Sequence, residues 1–411
     1  MADFQVAVSI IDRLVRAGYR ALFCGGCVRD SLLGREPKDF DIVTSAPPQA
    51  VESLFSRTHA VGRKFGIVVV LEAGGSYEVA TFRRDGEYGD GRRPDSVSFG
   101  TEIEDAKRRD FTINGLFMDP HSGEVFDHVG GGDDLRNCLV RTIGDPCGRF
   151  REDHLRLLRA VRFAAQLDFR IEKDTRRAMV EEAACLKNIS RERIGDELER
   201  ILTGPRPGLG GRLLSETGLL KEILPSMGEL SSSSLEQTLG RLEEMEPGTD
   251  LAVGLGALVL DLERIGANVE RALKSLRRST RVIQEVVWMV SQERMLCRYR
   301  ELTLAQKKRF LRQDEIEKVM QLFRLDSEQQ KEPRSPLDAS LKCCQRDRAR
   351  FEADGVGLFP SVPVNGEDLA GMGIPPGPRY REILDAVEDR VLEGNLYSRE
   401  EAISWIRSRE D

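Results

Sequence analysis

Two adjacent glycines constrain the fold more than any other feature of this sequence. Gly25 and Gly26 close a short apolar run, Ala21-Leu22-Phe23-Cys24, and lead into Val28 to Leu33, whose spacing predicts one or two helical turns. Where a buried strand enters a helix through glycine, no Cβ stands between the backbone N–H groups and a phosphate. Arg29, on the first helical turn, adds a cation at the same place. Glycine pairs between strand and helix are also common packing devices, so the turn alone decides nothing.

Ten residues after Arg29 comes Asp39-Phe40-Asp41-Ile42-Val43. On a strand, residues two apart share a face, so the pattern predicts that Asp39 and Asp41 converge while Phe40 packs behind them. Two carboxylates at that distance repel unless a cation lies between them. Hard oxygen donors suit Mg²⁺, and a pair of such ions can clamp the attacking hydroxyl and the leaving pyrophosphate of an in-line displacement. Taken alone, D-x-D is more often a surface turn; its position behind the glycine turn favours Asp39 and Asp41 as metal ligands. Glu78, on an expected neighbouring strand, has two readings: a third carboxylate that takes the proton of the attacking hydroxyl, or an edge-strand charge that keeps the sheet soluble.

The chain of 411 residues is long enough for two or three domains. A helix is expected over Phe4 to Ala17 and a hairpin from Gly66 to Leu71 and Tyr77 to Phe82. Arg83 to Pro94, rich in Gly, Asp and Arg, is expected to be a mobile loop. From about residue 150 helical periodicity dominates, with breaks at 204–208, 246–248, 331–336 and 360–378. The 8 cysteines are scattered and the 4 histidines offer no zinc spacing, so reduced, mostly buried thiols are expected. No segment approaches the roughly 20 apolar residues of a membrane span. Met1 to Gln5 carries no secretion signal, so a cytoplasmic location is expected. The net charge of -7 argues weakly against a general nucleic-acid coat protein, but Arg264 to Arg312 holds 13 Lys and Arg against 4 Glu. Such a run is usually a solvated helical face; here it is also a reason to look for a polyanionic partner.

Four motifs in order, GGCVRD (25–30), KDFDIVTSA (38–46), RRDFTINGLFMDP (108–120) and RTIGDPCGRFREDHLRLLRAVRFAA (141–165), resemble the class II tRNA nucleotidyltransferases, the family of CCA-adding enzymes and bacterial poly(A) polymerases. The segment 364–379 resembles the tail of CCA-adding members. The resemblance implies a polymerase-β-like α/β head, a small mixed sheet with helices, followed by an elongated all-α neck, body and tail. The corresponding expectation is a catalytic head over 1–140, a neck that reads the nucleotide over 141–205, and tRNA-binding body and tail over 206–330 and 331–411. The implied activity is addition of CCA to the 3′ end of tRNA from CTP and ATP with release of pyrophosphate. Mg²⁺ is the implied cofactor, tRNA and the two nucleotides are the partners, no membrane is involved, and the oligomeric state stays unspecified.

The same resemblance gives roles to further residues. Arg109 and Asp110 match a motif that contacts triphosphate and ribose; an Asp acceptor for the 2′-hydroxyl selects ribonucleotides. A helix N-cap is the other reading of Asp110. Asp153 and Arg156 match the pair that reads the base. Cytosine and adenine each present an NH₂ donor beside a ring-nitrogen acceptor, which an Asp beside an Arg complements; uracil and guanine present the reverse order. Arg159 and Arg162 follow at helical spacing and are expected to touch base or phosphates, although an exposed basic stripe is the usual meaning of such a row. The valines at 68–70 and the loop 83–93 look more like the tRNA enzymes that add the terminal A. Addition of A alone and poly(A) synthesis remain open alternatives. An RNA-binding protein without catalysis is the reading from a different class, and the intact set of candidate catalytic groups argues against it.

Overall fold

Asp3 caps α1 (Phe4–Arg16), its carboxylate accepting from the N–H groups of Gln5 and Val6. This computed structural model describes residues 3–59, 66–86, 97–328, 336–353 and 357–410. One face of α1, with Ala7, Ile10, Ile11 and Leu14, is buried. The chain then enters β1 (Ala21–Cys24), all four residues of which are buried, and turns at the glycines into α2 (Gly26–Leu32).

After β2 (Ile42–Thr44) and α3 (Pro48–Leu54) come β3 (Thr58–His59) and the hairpin of β4 (Ile67–Glu72) and β5 (Gly75–Thr81). Ala73 and Gly74 form its two-residue turn with φ of 47° and 81°, the positive values that match the twist of the flanking strands. The next strands are β6 (Arg83–Asp85) and β7 (Val97–Phe99), then α4 (Glu102–Arg108), β8 (Leu116–Met118) and β9 (Val125–Asp127). Among the described residues, seven strands form one mixed sheet in the order β3-β4-β5-β2-β1-β8-β9. β2 and β5 run parallel, with Ile42 opposite Val79, and the other neighbours are antiparallel.

The expected loop at Arg83 to Pro94 begins instead as a strand. Arg83–Asp85 pairs antiparallel with Val97–Phe99, and residues 87–96 lie outside the described residues. A ladder between two short strands needs only backbone groups, so Arg-Arg-Asp gave no apolar alternation to announce it.

Apart from a small parallel pairing of Leu139–Val140 with Arg170–Ile171, the remainder of the first compact unit is mainly helical, including α5 (Gly131–Arg136), α6 (Pro146–Glu152), α7 (Arg156–Leu167), α8 (Lys173–Glu182) and α9 (Arg191–Leu202). This unit comprises Met1–Glu229, Met245–Thr249 and Ala272–Arg278, and holds every candidate site residue. The second comprises Leu230–Glu244, Asp250–Arg271 and Ser279–Asp411. In it Arg241, 0% exposed, donates to Asp261, Asp326 and the Ala257 carbonyl, and Arg264 joins the same network through Asp326 and Glu293.

That network and its neighbours take up part of the basic run. Arg264 is bound internally, Lys308 is buried, and Arg309 and Arg312 pair with Glu388. Arg271, Lys274, Arg277, Arg281, Arg294, Arg298 and Arg300 are exposed. No helix among the described residues is long and apolar enough to cross a membrane.

Candidate active site

Gly25 adopts φ 72° and ψ -127°, a conformation that side chains rarely accept. A Cβ there would come within 3.0 Å of the Arg109 Nη1 atom and 4.0 Å of Asp41 Oδ2. The Gly25 N–H donates to the Leu116 carbonyl at 3.1 Å, so this glycine supplies clearance rather than a free donor. The N–H groups without partners in the helix begin at Gly26. Cys24 and Cys27 flank the turn with buried thiols pushed up to about 11 and about 12 by desolvation, which keeps them protonated and unsuited to metal.

Phe40 is buried against Phe4 and Phe23, with ring centroids 5.6 and 5.4 Å away. Asp39 and Asp41, on either side of it, are exposed. Both stand in front of β2 rather than within it, although the Asp41 carbonyl accepts from the Cys24 N–H at 3.0 Å and so continues the ladder. The Ile42–Val79 register sets Glu78 beside Asp41, each preceding a buried neighbour. β5 lies inside the sheet, between β4 and β2, which removes the reading of Glu78 as an edge-strand charge.

Asp41 remains open to solvent, yet enough protein surrounds its carboxylate to disfavour ionisation. That desolvation, followed by the charge of Glu78, raises it to about 6; Arg109 opposes the shift and Asp39 adds to it. Among the described residues no three His, Cys, Asp or Glu side chains are drawn together as a preformed metal cage. Asp39, Asp41 and Glu78 nevertheless fit a divalent cation: they offer hard oxygen donors, Glu78 and Asp39 raise the Asp41 carboxyl, and Gly25 keeps the space before it clear.

Cations face the acids across the turn. Arg109 is anchored by Asp105, with Nε 3.1 Å from Oδ2, and donates to the Asn114 carbonyl at 3.3 Å. Arg29 donates to Asp30 (2.8 Å) and to Asn114 Oδ1 (2.7 Å), with its guanidinium 5.3 Å from the Phe163 ring centre. Asn114 in turn donates to Asp110 Oδ1 (3.1 Å), which also accepts the Phe111 N–H (2.8 Å). The other oxygen of Asp110 takes Arg159 Nε (2.9 Å) and Nη2 (2.5 Å). These bonds hold the Asp110 carboxyl far below the usual carboxylate range despite burial. The N-cap of the short 3₁₀ turn Thr112–Asn114 is Phe111, so Asp110 does not cap a helix there.

Asp153 lies outside the helix that carries Arg156. The helix breaks at Asp153 (φ -142°, ψ 101°), whose carboxylate accepts the Leu155 N–H at 3.1 Å, and Arg156 opens α7. The Arg156 guanidinium donates to Glu152 (2.7 Å) and to the Arg149 carbonyl (2.9 Å). Arg162, expected at the nucleotide, is buried and donates to Glu197 at 2.6 Å and to Gln166 at 3.1 Å. Its position on the periodic row was legible; its partner, on α9, was not. Asn114, Asp105, Glu152 and Glu197 were all missed by sequence reasoning, because each acts through a partner that only the fold supplies.

This arrangement has relatives. The poly A polymerase head domain matches residues 21–141, and the probable RNA and SrmB-binding site of polymerase A matches 168–230. The CCA-adding enzyme of Geobacillus thermodenitrificans (strain NG80-2) is 37% identical over 415 residues, covering 99% of this chain and 97% of that one. This chain belongs to the CCA-adding enzyme family. The CCA-adding enzyme of Geobacillus stearothermophilus is 36% identical over 410 residues, covering 99% of this chain and 97% of the relative. Similarity extends to shape: the crystal structure of the Bacillus stearothermophilus CCA-adding enzyme in complex with CTP superposes with a TM-score of 0.79 at 32% identity, covering 100% of this chain and 98% of that one. The chain is therefore a nucleotidyltransferase, and its family generally works with divalent metal ions.

Proposed function

We propose that this enzyme acts in the cytoplasm, adding CCA to the 3′ end of tRNA from CTP and ATP without a nucleic-acid template and releasing pyrophosphate. The observation that carries the reading is the pairing of an acidic edge with a guanidinium edge across one glycine turn: Asp41 and Glu78 on one side, Arg29 and Arg109 on the other. That is what transfer of a nucleotide from a triphosphate requires.

In this proposal Asp39 and Asp41 hold Mg²⁺, with Glu78 as the third carboxylate. Mg²⁺ there supplies the positive charge that offsets the triphosphate during in-line displacement. Glu78 accepts the proton of the terminal tRNA hydroxyl as it attacks the α-phosphorus. The first N–H groups of α2, with Arg29 and Arg109, hold the phosphates of the departing pyrophosphate. Asp110 accepts the ribose 2′-hydroxyl, and Arg159, which shares that carboxylate, adjusts as the sugar enters. Asp153 and Arg156 read the base; Arg156 must release Glu152 to do so. Arg162 positions α7 through Glu197 rather than touching the nucleotide.

We assign residues 1–140 to the catalytic head, 141–205 to the neck, and 206–330 and 331–411 to a tRNA-binding body and tail. Arg281, Arg294 and Arg300 are the candidates for phosphate contact in the body. If they make three contacts, the logarithm of tRNA affinity falls with the logarithm of salt at a slope of roughly -2 to -3. Filter binding across a salt series measures it, and an affinity that salt leaves unchanged contradicts the assignment.

The divalent-ion requirement is tested by incorporation of labelled CTP into tRNA lacking its 3′ end. Incorporation should cease with EDTA and return with Mg²⁺. Transfer undiminished by chelation would remove the metal from the proposal.

A further inference from the structure

Aromatic side chains make up 6% of this chain, so a tryptophan left partly open to solvent is a scarce stacking surface in it. Trp405, on the helix Arg399–Glu410, is such a residue: it packs against the small core of Leu369, Val387 and Ile406 without being fully buried. A cavity of about 260 Å³ opens beside it, lined from that helix and from Pro378–Leu392. Ile383, Ala386 and Ile406 give the cavity its apolar lining. Arg379, Glu382 and Arg409 bring charge to it. Two guanidiniums also meet the indole, Arg390 at 5.2 Å and Arg409 at 4.9 Å from the ring centre. Arg409, exposed and one helical turn beyond Trp405, is the one of the two that lines the cavity.

These groups together select a ligand. An indole beside an apolar lining favours a flat ring system. Guanidiniums at the same cavity call for an anion, and their planar donors match phosphate. Glu382 repels a bare anion and accepts only from a donor, which the amino group of adenine, cytosine or guanine provides. A nucleotide unites the flat ring, the amino group and the phosphate. Sites that enclose a whole small-molecule ligand measure about 300–1,000 Å³. This smaller cavity therefore suits one base, with the phosphate left at its charged rim.

We infer that the cavity is a second nucleotide site, built within the second unit and from none of the active-site residues. The base stacks on Trp405, Glu382 accepts its amino group, and Arg379 and Arg409 hold the phosphate. The ligand is one nucleobase with a phosphate on its sugar, either a free mononucleotide or an unstacked residue of RNA. The RNA source rests on the tRNA-binding tail proposed above; the mononucleotide source does not.

Trp288 and Trp405 are the 2 tryptophans of the chain, so the emission of Trp288→Phe reports Trp405 alone. That protein is titrated with AMP, with ribose 5-phosphate and with tRNA lacking its 3′ end, and filter binding of the tRNA is measured alongside. AMP or the tRNA should quench the emission saturably, and ribose 5-phosphate, which has no base to stack, should not. Adding Arg409→Glu, a change at an exposed position that keeps the indole, should weaken the quenching ligand about tenfold or more. Quenching by AMP identifies a free nucleotide as the occupant, and quenching by tRNA but not AMP identifies a residue of RNA. If neither changes the emission, if ribose 5-phosphate quenches as well as AMP, or if Arg409→Glu leaves the titration unmoved, the site is overturned. Retention of tRNA with Trp405 unquenched by either ligand overturns the site and leaves the tail assignment standing. Failure to retain tRNA removes the tail assignment, and the AMP titration then decides the site.

Discussion

Replacing Asp41 with alanine should slow nucleotide transfer on the order of 10³-fold or more while tRNA binding changes little, because the loss falls on charge stabilisation during the reaction. The backbone of Asp41 serves the sheet through its carbonyl, which an alanine keeps, and the residue is exposed, so the fold has no reason to fail. Removing one carboxylate also relieves the repulsion from Glu78 and Asp39 that raises Asp41 to about 6. Thermal unfolding separates this account from simple destabilisation. Mg²⁺ should raise the melting temperature of the parent, since a ligand that binds only the native state stabilises it, and should do so less in Asp41→Ala. An Asp41→Ala enzyme that transfers nucleotides at the parent rate would place the metal elsewhere.

The second large effect is expected at Asp153. On the proposed base-reading role, alanine there removes the acceptor for the amino group of cytosine and adenine, leaving only the Arg156 donor to discriminate. A mispaired buried polar group costs about 1–3 kcal/mol, so the preference for CTP and ATP over UTP and GTP should fall roughly 10- to 100-fold. The substitution also deletes the hydrogen bond to the Leu155 N–H, which slows all four nucleotides alike and leaves their ratio untouched. Competition among the four labelled triphosphates measures the ratio directly. Unchanged selectivity in a slowed enzyme would reduce Asp153 to the local cap that its contact with Leu155 already makes it.

Much of the head could be read from local pattern. The apolar run ending at Gly25-Gly26, the α1 periodicity and the β4–β5 hairpin each depend on neighbours within a few residues. Asp39 and Asp41 were legible as a pair, with Phe40 turned away from them, even though the strand begins just after them. The position of Glu78 required the order of the sheet, which no local window contains. The break at Asp153 was hidden because neither glycine nor proline marks it. The charged groups were read least well. Arg162 meets Glu197, Arg264 meets Asp326 and Arg312 meets Glu388, pairings that cross tens of residues and draw some of the expected basic side chains into ion pairs. Asn114 belongs with these, since an asparagine in a motif says little until a guanidinium and a carboxylate are found at its two ends.

The most direct test of the central claim is the length and sequence of the product. Purified enzyme with Mg²⁺, CTP and ATP is given a tRNA lacking its last three nucleotides, and the RNA is resolved at single-nucleotide length and sequenced. The account predicts addition of C, C and A in that order, then arrest. A growing tract of A, A added only to tRNA that already ends in CC, or no extension at all would contradict it.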